Sequence, residues 1–109
     1  MTIANNIILY AKEDQERKLK ILLNTLVQQS LLEKGCQKFE LYQLDLERQH
    51  FFIVEIWRSE KSYGAHLENE VYKTLYNQIE ALLDHQEQHP LKLTQCLTEL
   101  GLKTKKKAT

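Results

Sequence analysis

Residues 51–66 read FFIVEIWRSEKSYGAH, an apolar and aromatic run that gives way at Arg58 and Ser59 to a polar segment with helix-start chemistry. This pattern predicts a buried strand feeding directly into a helix. Side chains alternate across a strand with period two, so Phe51, Ile53, Glu55 and Trp57 share one face and Phe52, Val54, Ile56 and Arg58 the other. Both faces are mostly apolar, whereas a small antiparallel sheet ordinarily keeps one face in water. The expectation is helices over one face and a partner subunit over the other. Glu55 interrupts its face, and a buried carboxylate needs a hydrogen-bond partner or a shifted proton affinity. Trp57, Tyr63 and His66 surround the junction and are the candidates for chemistry. Beside that stands a plainer reading: tryptophans at strand ends and helical histidines beside apolar residues commonly belong to the core, with their polar atoms satisfied.

Composition narrows the classes. A chain of 109 residues makes one domain with a genuine core. With 42% hydrophobic and 28% charged residues it has the balance of a soluble globular protein. Fifteen basic residues offset 15 acidic ones, for a net charge of +0, which argues against a dedicated nucleic-acid binder. No apolar run approaches the roughly 20 residues of a membrane helix, and the N-terminus lacks the layout of a signal peptide. Cys36 and Cys96 have neither metal nor redox spacing and read as reduced, buried small hydrophobes. A cytoplasmic location follows as the expectation.

The remaining elements follow in order. IILYA at 7–11 is a short strand that starts near Ile3, and Asp14 is the expected cap of a helix running to Lys34. Leu19, Leu22, Leu23, Leu26, Val27, Ser30 and Leu31 fall three and four apart, one stripe of a helix, and Gly35 suits its C-terminal cap. Residues 37–46 read as a second strand, and the short polar link DLERQH at 45–50 implies a hairpin with the strand at 51. Ser59 caps one helical piece and Asn69 a second, whose stripe is Tyr72, Leu75, Tyr76, Ile79, Leu82 and Leu83. Pro90 closes the helical region, and residues 91–100 form the last strand. The Lys-rich residues 102–109 read as a solvated tail outside a domain spanning 1–101. HQEQH at 85–89 has the spacing of a helical zinc pair, His85 and His89, but its polar surroundings make a solvated helix end the better reading.

Strand, helix, strand, strand, helix, strand is the order of the α+β ferredoxin-like βαββαβ fold, with an antiparallel sheet and helices on one face. The other face carries apolar residues on several strands, and a homodimer with sheets packed face to face would cover it.

LEKGCQKFELYQL at 32–44, then FFIVEIWRSEKSYGAHLENEVYKTL from residue 51, resembles the antibiotic biosynthesis monooxygenase domain family and its quinol monooxygenase-like members. The shared features are a Gly-Cys turn after the first helix, an acidic-x-Trp strand end, a His nine residues past the Trp and an aromatic at the start of the next helix. The resemblance spans nearly the whole chain. It implies a dimeric α/β-barrel with a cavity between sheet and helices in each subunit and a last strand that often reaches across the dimer. It further implies oxidation of electron-rich phenols, quinols or anthrones by O₂ as co-substrate, without metal, flavin or other cofactor. A phenolate can pass an electron to O₂ directly when the site deprotonates the substrate and shields the intermediates. On this resemblance His66, Trp57 and Tyr63 are the catalytic candidates, with Tyr72, Glu55 and Asn6 binding substrate. An asparagine found four residues before the Trp in anthrone-oxidising members is Ile53 here, a departure that opens a second reading: a non-catalytic dimeric ligand-binding module. Haem-degrading relatives use an asparagine, a tryptophan and an axial histidine, matched here by Asn6, His66 and Tyr76, which argues against haem breakdown. Relatives that isomerise the phosphorylated signal autoinducer-2 share the strand-to-His pattern, and such a substrate calls for basic groups, for which Arg58 and Lys61 are the candidates.

Overall fold

The computed structural model describes residues 1–92. Its elements run β1 (Ile3–Ala11), α1 (Glu16–Leu31), β2 (Cys36–Gln43), β3 (His50–Trp57), α2 (Glu60–Glu68), α3 (Glu70–Glu80) and β4 (Leu83–Leu91). The four strands form one antiparallel sheet in the order β2-β3-β1-β4. This is the ferredoxin-like arrangement, with the second helix broken in two.

Period-two alternation on β3 decides which face the helices cover. Phe51, Ile53, Glu55 and Trp57 are buried, while Phe52, Val54 and Ile56 between them are only half-buried. The register carries this alternation to the neighbours: Asn5 lies opposite Glu55 and Ile7 opposite Ile53 on β1, and Phe39 lies opposite Glu55 on β2. Helix α1 seals that face with Leu19, Leu23 and Leu26, and α3 adds Leu75 and Ile79. The opposite face groups Ile8 with Phe52, Asn6 with Val54 and Ala4 with Ile56, and no described helix lies over it.

Caps mark the helix starts as the sequence implies, with one exception. Ser59 accepts from the Ser62 amide at 3.1 Å, and Asn69 accepts from the Val71 and Tyr72 amides at 2.8 and 3.1 Å. Because Asn69 both ends α2 and opens α3, the helical region breaks there. The expected cap at Asp14 is not made: Asp14 adopts φ 65° in the turn before α1, and Gln15 occupies the cap position without a side-chain bond. Asp tolerates the left-handed region better than most residues, which suits it to that turn.

The last strand also departs from the sequence reading. The strand that pairs with β1 begins at Leu83 and ends at Leu91, rather than spanning 91–100; residues 93–100 and the tail at 102–109 lie outside the described residues. HQEQH is therefore strand, not helix end. His85 and His89 still share a face, but four residues of strand separate them by about 13 Å, too far to chelate one ion. Each instead meets a neighbouring carboxylate, Asp84 and Glu87. Pro90 is tolerated because β4 is at the sheet edge within the described residues.

Gly35 carries one joint of the fold. It has φ +89°, its carbonyl accepts from the Arg58 amide at 2.8 Å, and a Cβ built on it would lie 2.2 Å from Ser62 Oγ and 2.5 Å from Ser62 Cβ. The turn after α1 thus seats directly on the start of α2. Gly64 is the contrast, helical with nothing within 4 Å of an added Cβ. Denaturant unfolding should show Gly35→Ala losing about 2–3 kcal/mol, while Gly64→Ala gains about 0.5–1 kcal/mol. Equal effects at the two positions would refute this account of the turn.

Candidate active site

A cavity of about 310 Å³ opens between the sheet and α2–α3, lined by Ile7, Leu26, Phe39, Ile53, Glu55, Tyr63, His66, Leu67, Tyr72, Tyr76, Gln86 and Gln88. Each strand contributes to it through the same face that builds the core. Inward alternation on β3 brings Ile53 and Glu55 to the floor, and Ile7 on β1 lies beside Ile53. Helical spacing on α2 and α3 presents Tyr63, His66, Tyr72 and Tyr76 from above. β4 supplies the remaining edge with Gln86 and Gln88, two apart and therefore on one side of the strand.

Glu55 is 2% exposed, and both its oxygens are engaged: Trp57 Nε1 donates to Oε1 at 2.8 Å and Asn5 Nδ2 donates to Oε2 at 3.0 Å. Two charge-assisted bonds make a buried carboxylate tolerable. Each oxygen keeps a further lone pair that can accept from a ligand. Trp57 itself is fully buried behind this carboxylate and does not line the cavity. Its indole instead backs His66, with ring centroids 4.4 Å apart, while Tyr72 flanks His66 on another side at 4.2 Å. His66 is 2% exposed, and its Nδ1 lies 3.1 Å from both carboxylate oxygens of Glu33.

The tyrosines are tied to β4 across the cavity. Gln88 Nε2 donates to the Tyr63 hydroxyl at 3.2 Å, and the Tyr76 hydroxyl donates to Gln86. Burial pushes the Tyr76 phenol up to about 12, with the Glu80 charge adding to it. The Tyr72 phenol is raised further by burial and by the neighbouring Tyr76. Both stay neutral donors across the physiological range. Cys36 is half-buried, makes no disulfide among the described residues, and is raised to about 11 by burial, so it is a poor thiolate source. Among the described residues no cluster of three His, Cys, Asp or Glu side chains has the geometry to hold a metal ion, and no helix is long and apolar enough to cross a membrane.

Of the residues picked out by sequence, His66, Tyr63, Tyr72 and Glu55 line one cavity, with Trp57 immediately behind. Asn6 does not join them. It pairs with Val54 on the opposite face of the sheet, and its neighbour Asn5 is the amide that reaches Glu55. Arg58 and Lys61 are exposed and lie away from the cavity lining. The structure adds Asn5, Glu33, Gln86 and Gln88. The alternation of Asn5 with Ile7 and Leu9 signals the first of these; the period-two pattern of HQEQH signals the glutamines once the segment is read as strand.

A ferredoxin-like α+β domain with an aromatic-walled, acid- and imidazole-bearing cavity between sheet and helices defines the class of protein. The chain belongs to the antibiotic biosynthesis monooxygenase family, which it matches over residues 2–78. Among solved structures it is similar to a Pseudomonas aeruginosa protein at 23% identity, covering 86% of this chain and 95% of that one, with a TM-score of 0.80. A Mycobacterium tuberculosis protein is similar at 20% identity over 88% and 98% of the two chains, TM-score 0.80. A variant of SnoaB from Streptomyces nogalater, described as a cofactor-independent oxygenase, superimposes with a TM-score of 0.79 over 88% and 96% of the chains at 9% identity. No individually curated protein matches the sequence.

The raised phenols have a consequence for stability. Folding holds the Tyr76 proton between its ordinary value of 10.0 and about 12, whereas the unfolded chain releases it near 10.0. The folded state then binds more protons, so stability is intact below pH 10 and falls as pH rises toward 12. Tyr76→Phe should flatten that alkaline decline in urea unfolding series, and an unchanged slope would contradict the assignment.

Proposed function

We propose that the chain is a cofactor-independent monooxygenase that acts on a small aromatic or quinol-like substrate with O₂ as co-substrate. The observation that carries this reading is the meeting of an imidazole and a buried carboxylate with four aromatic rings in one cavity of about 310 Å³. His66 is the base: it takes the proton of a substrate hydroxyl, leaving an electron-rich oxyanion that passes an electron to O₂. Glu55 orients a second hydroxyl by accepting from it, and Tyr63 and Tyr72 contact the ring and its oxygens. Trp57 holds Glu55 and backs His66. In a quinol, one oxygen atom of O₂ ends as a ring hydroxyl of the hydroxyquinone; the other leaves as water with two hydrogens from the substrate. The apolar wall of Ile7, Leu26, Phe39 and Ile53 keeps water from the intermediates.

The second subunit belongs to the same proposal. Ile8, Phe52, Val54 and Ile56 make an apolar centre on the sheet face that no described helix covers, and a homodimer packed through that face would cover it. A cytoplasmic setting belongs to the same proposal, in line with 2 cysteines that have neither metal nor redox spacing.

The described lining contains a carboxylate and no lysine or arginine, which disfavours a phosphorylated substrate and hence the isomerase reading. One observation favours a ligand-binding module instead: apolar Ile53 occupies the floor position where anthrone-oxidising relatives carry an asparagine.

O₂ uptake across a panel of hydroquinones and anthrones should reveal a substrate, and His66→Ala should lower its turnover by about 10²–10⁴-fold. Tight binding of panel members without uptake would replace the enzyme with the binding module. Light scattering should give the mass of two chains, and Val54→Asp should reduce it to one; a monomeric wild type would remove the dimer.

A further inference from the structure

His66 stands as a partition between two hollows. Its ring lines the inner cavity, and its Nδ1 faces Glu33, which lines a separate hollow of about 380 Å³ together with Ser62, Ala65 and Asn69. Glu33 is 17% exposed at its side chain against 2% for His66, so the carboxylate meets solvent where the imidazole does not. Thirty-three residues separate the two in sequence, and the contact exists because the turn after α1 is pinned in place. The Glu33 amide donates to the Ser30 carbonyl at 3.0 Å, its own carbonyl accepts from the Cys36 amide at 3.2 Å, and Gly35 docks on Arg58. Within the described residues the hydrogen bonds of the His66 ring are those to Glu33.

We propose that Glu33 is a positioning residue for His66: its carboxylate accepts from Nδ1–H, which leaves Nε2 as an unprotonated acceptor at the cavity wall. The inference rests on the reading of His66 as the base. An ionised carboxylate accepts only, so a neutral imidazole beside it must carry its proton on Nδ1. When the substrate O–H bond breaks, the proton forms a new N–H bond at Nε2. The resulting imidazolium is balanced by Glu33 at 3.1 Å. The same proton returns later to the departing oxygen as water forms. No net proton crosses Glu33; its work is to fix the tautomer and to stabilise the charged ring. The side chain never touches substrate.

Long-range ¹H–¹⁵N spectra of the ligand-free protein test the tautomer independently of any activity. The 4 histidines are sorted by comparison with His66→Gln. In spectra where the two ring nitrogens give unequal shifts, the mark of a neutral imidazole, His66 should show the Nδ1–H form. Glu33→Ala should convert it to Nε2–H, and Glu33→Gln, which keeps an acceptor oxygen without the charge, should retain Nδ1–H. In O₂-uptake assays Glu33→Ala should lower kcat by about 10–100-fold with KM nearly unchanged, and Glu33→Gln should restore only part of the loss. An Nε2–H form in the wild type, or a tautomer indifferent to Glu33→Ala, overturns the proposal. If Glu33→Ala does not fold, a kcat for Glu33→Gln equal to wild type overturns the charge-balancing role. Absent uptake in every protein together with the expected spectra would fail the oxygenase reading while leaving the tautomer assignment standing.

Discussion

A carboxylate 2% exposed within a sheet is sustained here by two N–H donors, one on each oxygen. The rest of the site follows from that arrangement. Trp57 can reach Glu55 because residues two apart on a strand point to the same side, and Asn5 can reach it because the β1–β3 register sets them opposite each other. A one-residue slip would turn Glu55 and Trp57 to the other face and leave Asn5 without its partner. Satisfying the charge therefore also locks the register, and the register in turn sets the floor of the cavity and the indole against which His66 lies.

Around that floor the protein divides its labour between rigid and polar elements. α1 contributes apolar mass and, through the turn at Gly35, the carboxylate that meets His66. α2 and α3 contribute rings. β4 contributes amides that fasten two of the tyrosine hydroxyls across the opening. The described lining thus joins tyrosine hydroxyls and glutamine amides to one carboxylate and one imidazole.

The architecture was readable because β3 and α1 have strong, unambiguous periods, and because Ser59 and Asn69 announce their helices by capping chemistry. The sequence places the fourth strand too late for an equally physical reason. Leu82 and Leu83 continue the spacing of α3, and a polar segment at the sheet edge, buried only at Leu83, offers no apolar alternation to betray it. That misplacement hid Gln86 and Gln88 from the site. Asn6 and Asn5 illustrate a different limit: adjacent identical residues on a strand differ only in which face they occupy, and the faces are distinguished by long-range pairing rather than by the residues themselves. The Glu33–His66 contact was similarly beyond local patterns, since it depends on how a turn docks on a helix 33 positions away.

The chain contains 1 tryptophan, and it sits against both the buried acid and the imidazole. Its emission is thus a single-source optical signal arising at the back of the cavity, with no second indole to dilute it. A change in the imidazole tilted against that indole, its ring centroid 4.4 Å away, therefore acts directly on the surroundings of the emitting group.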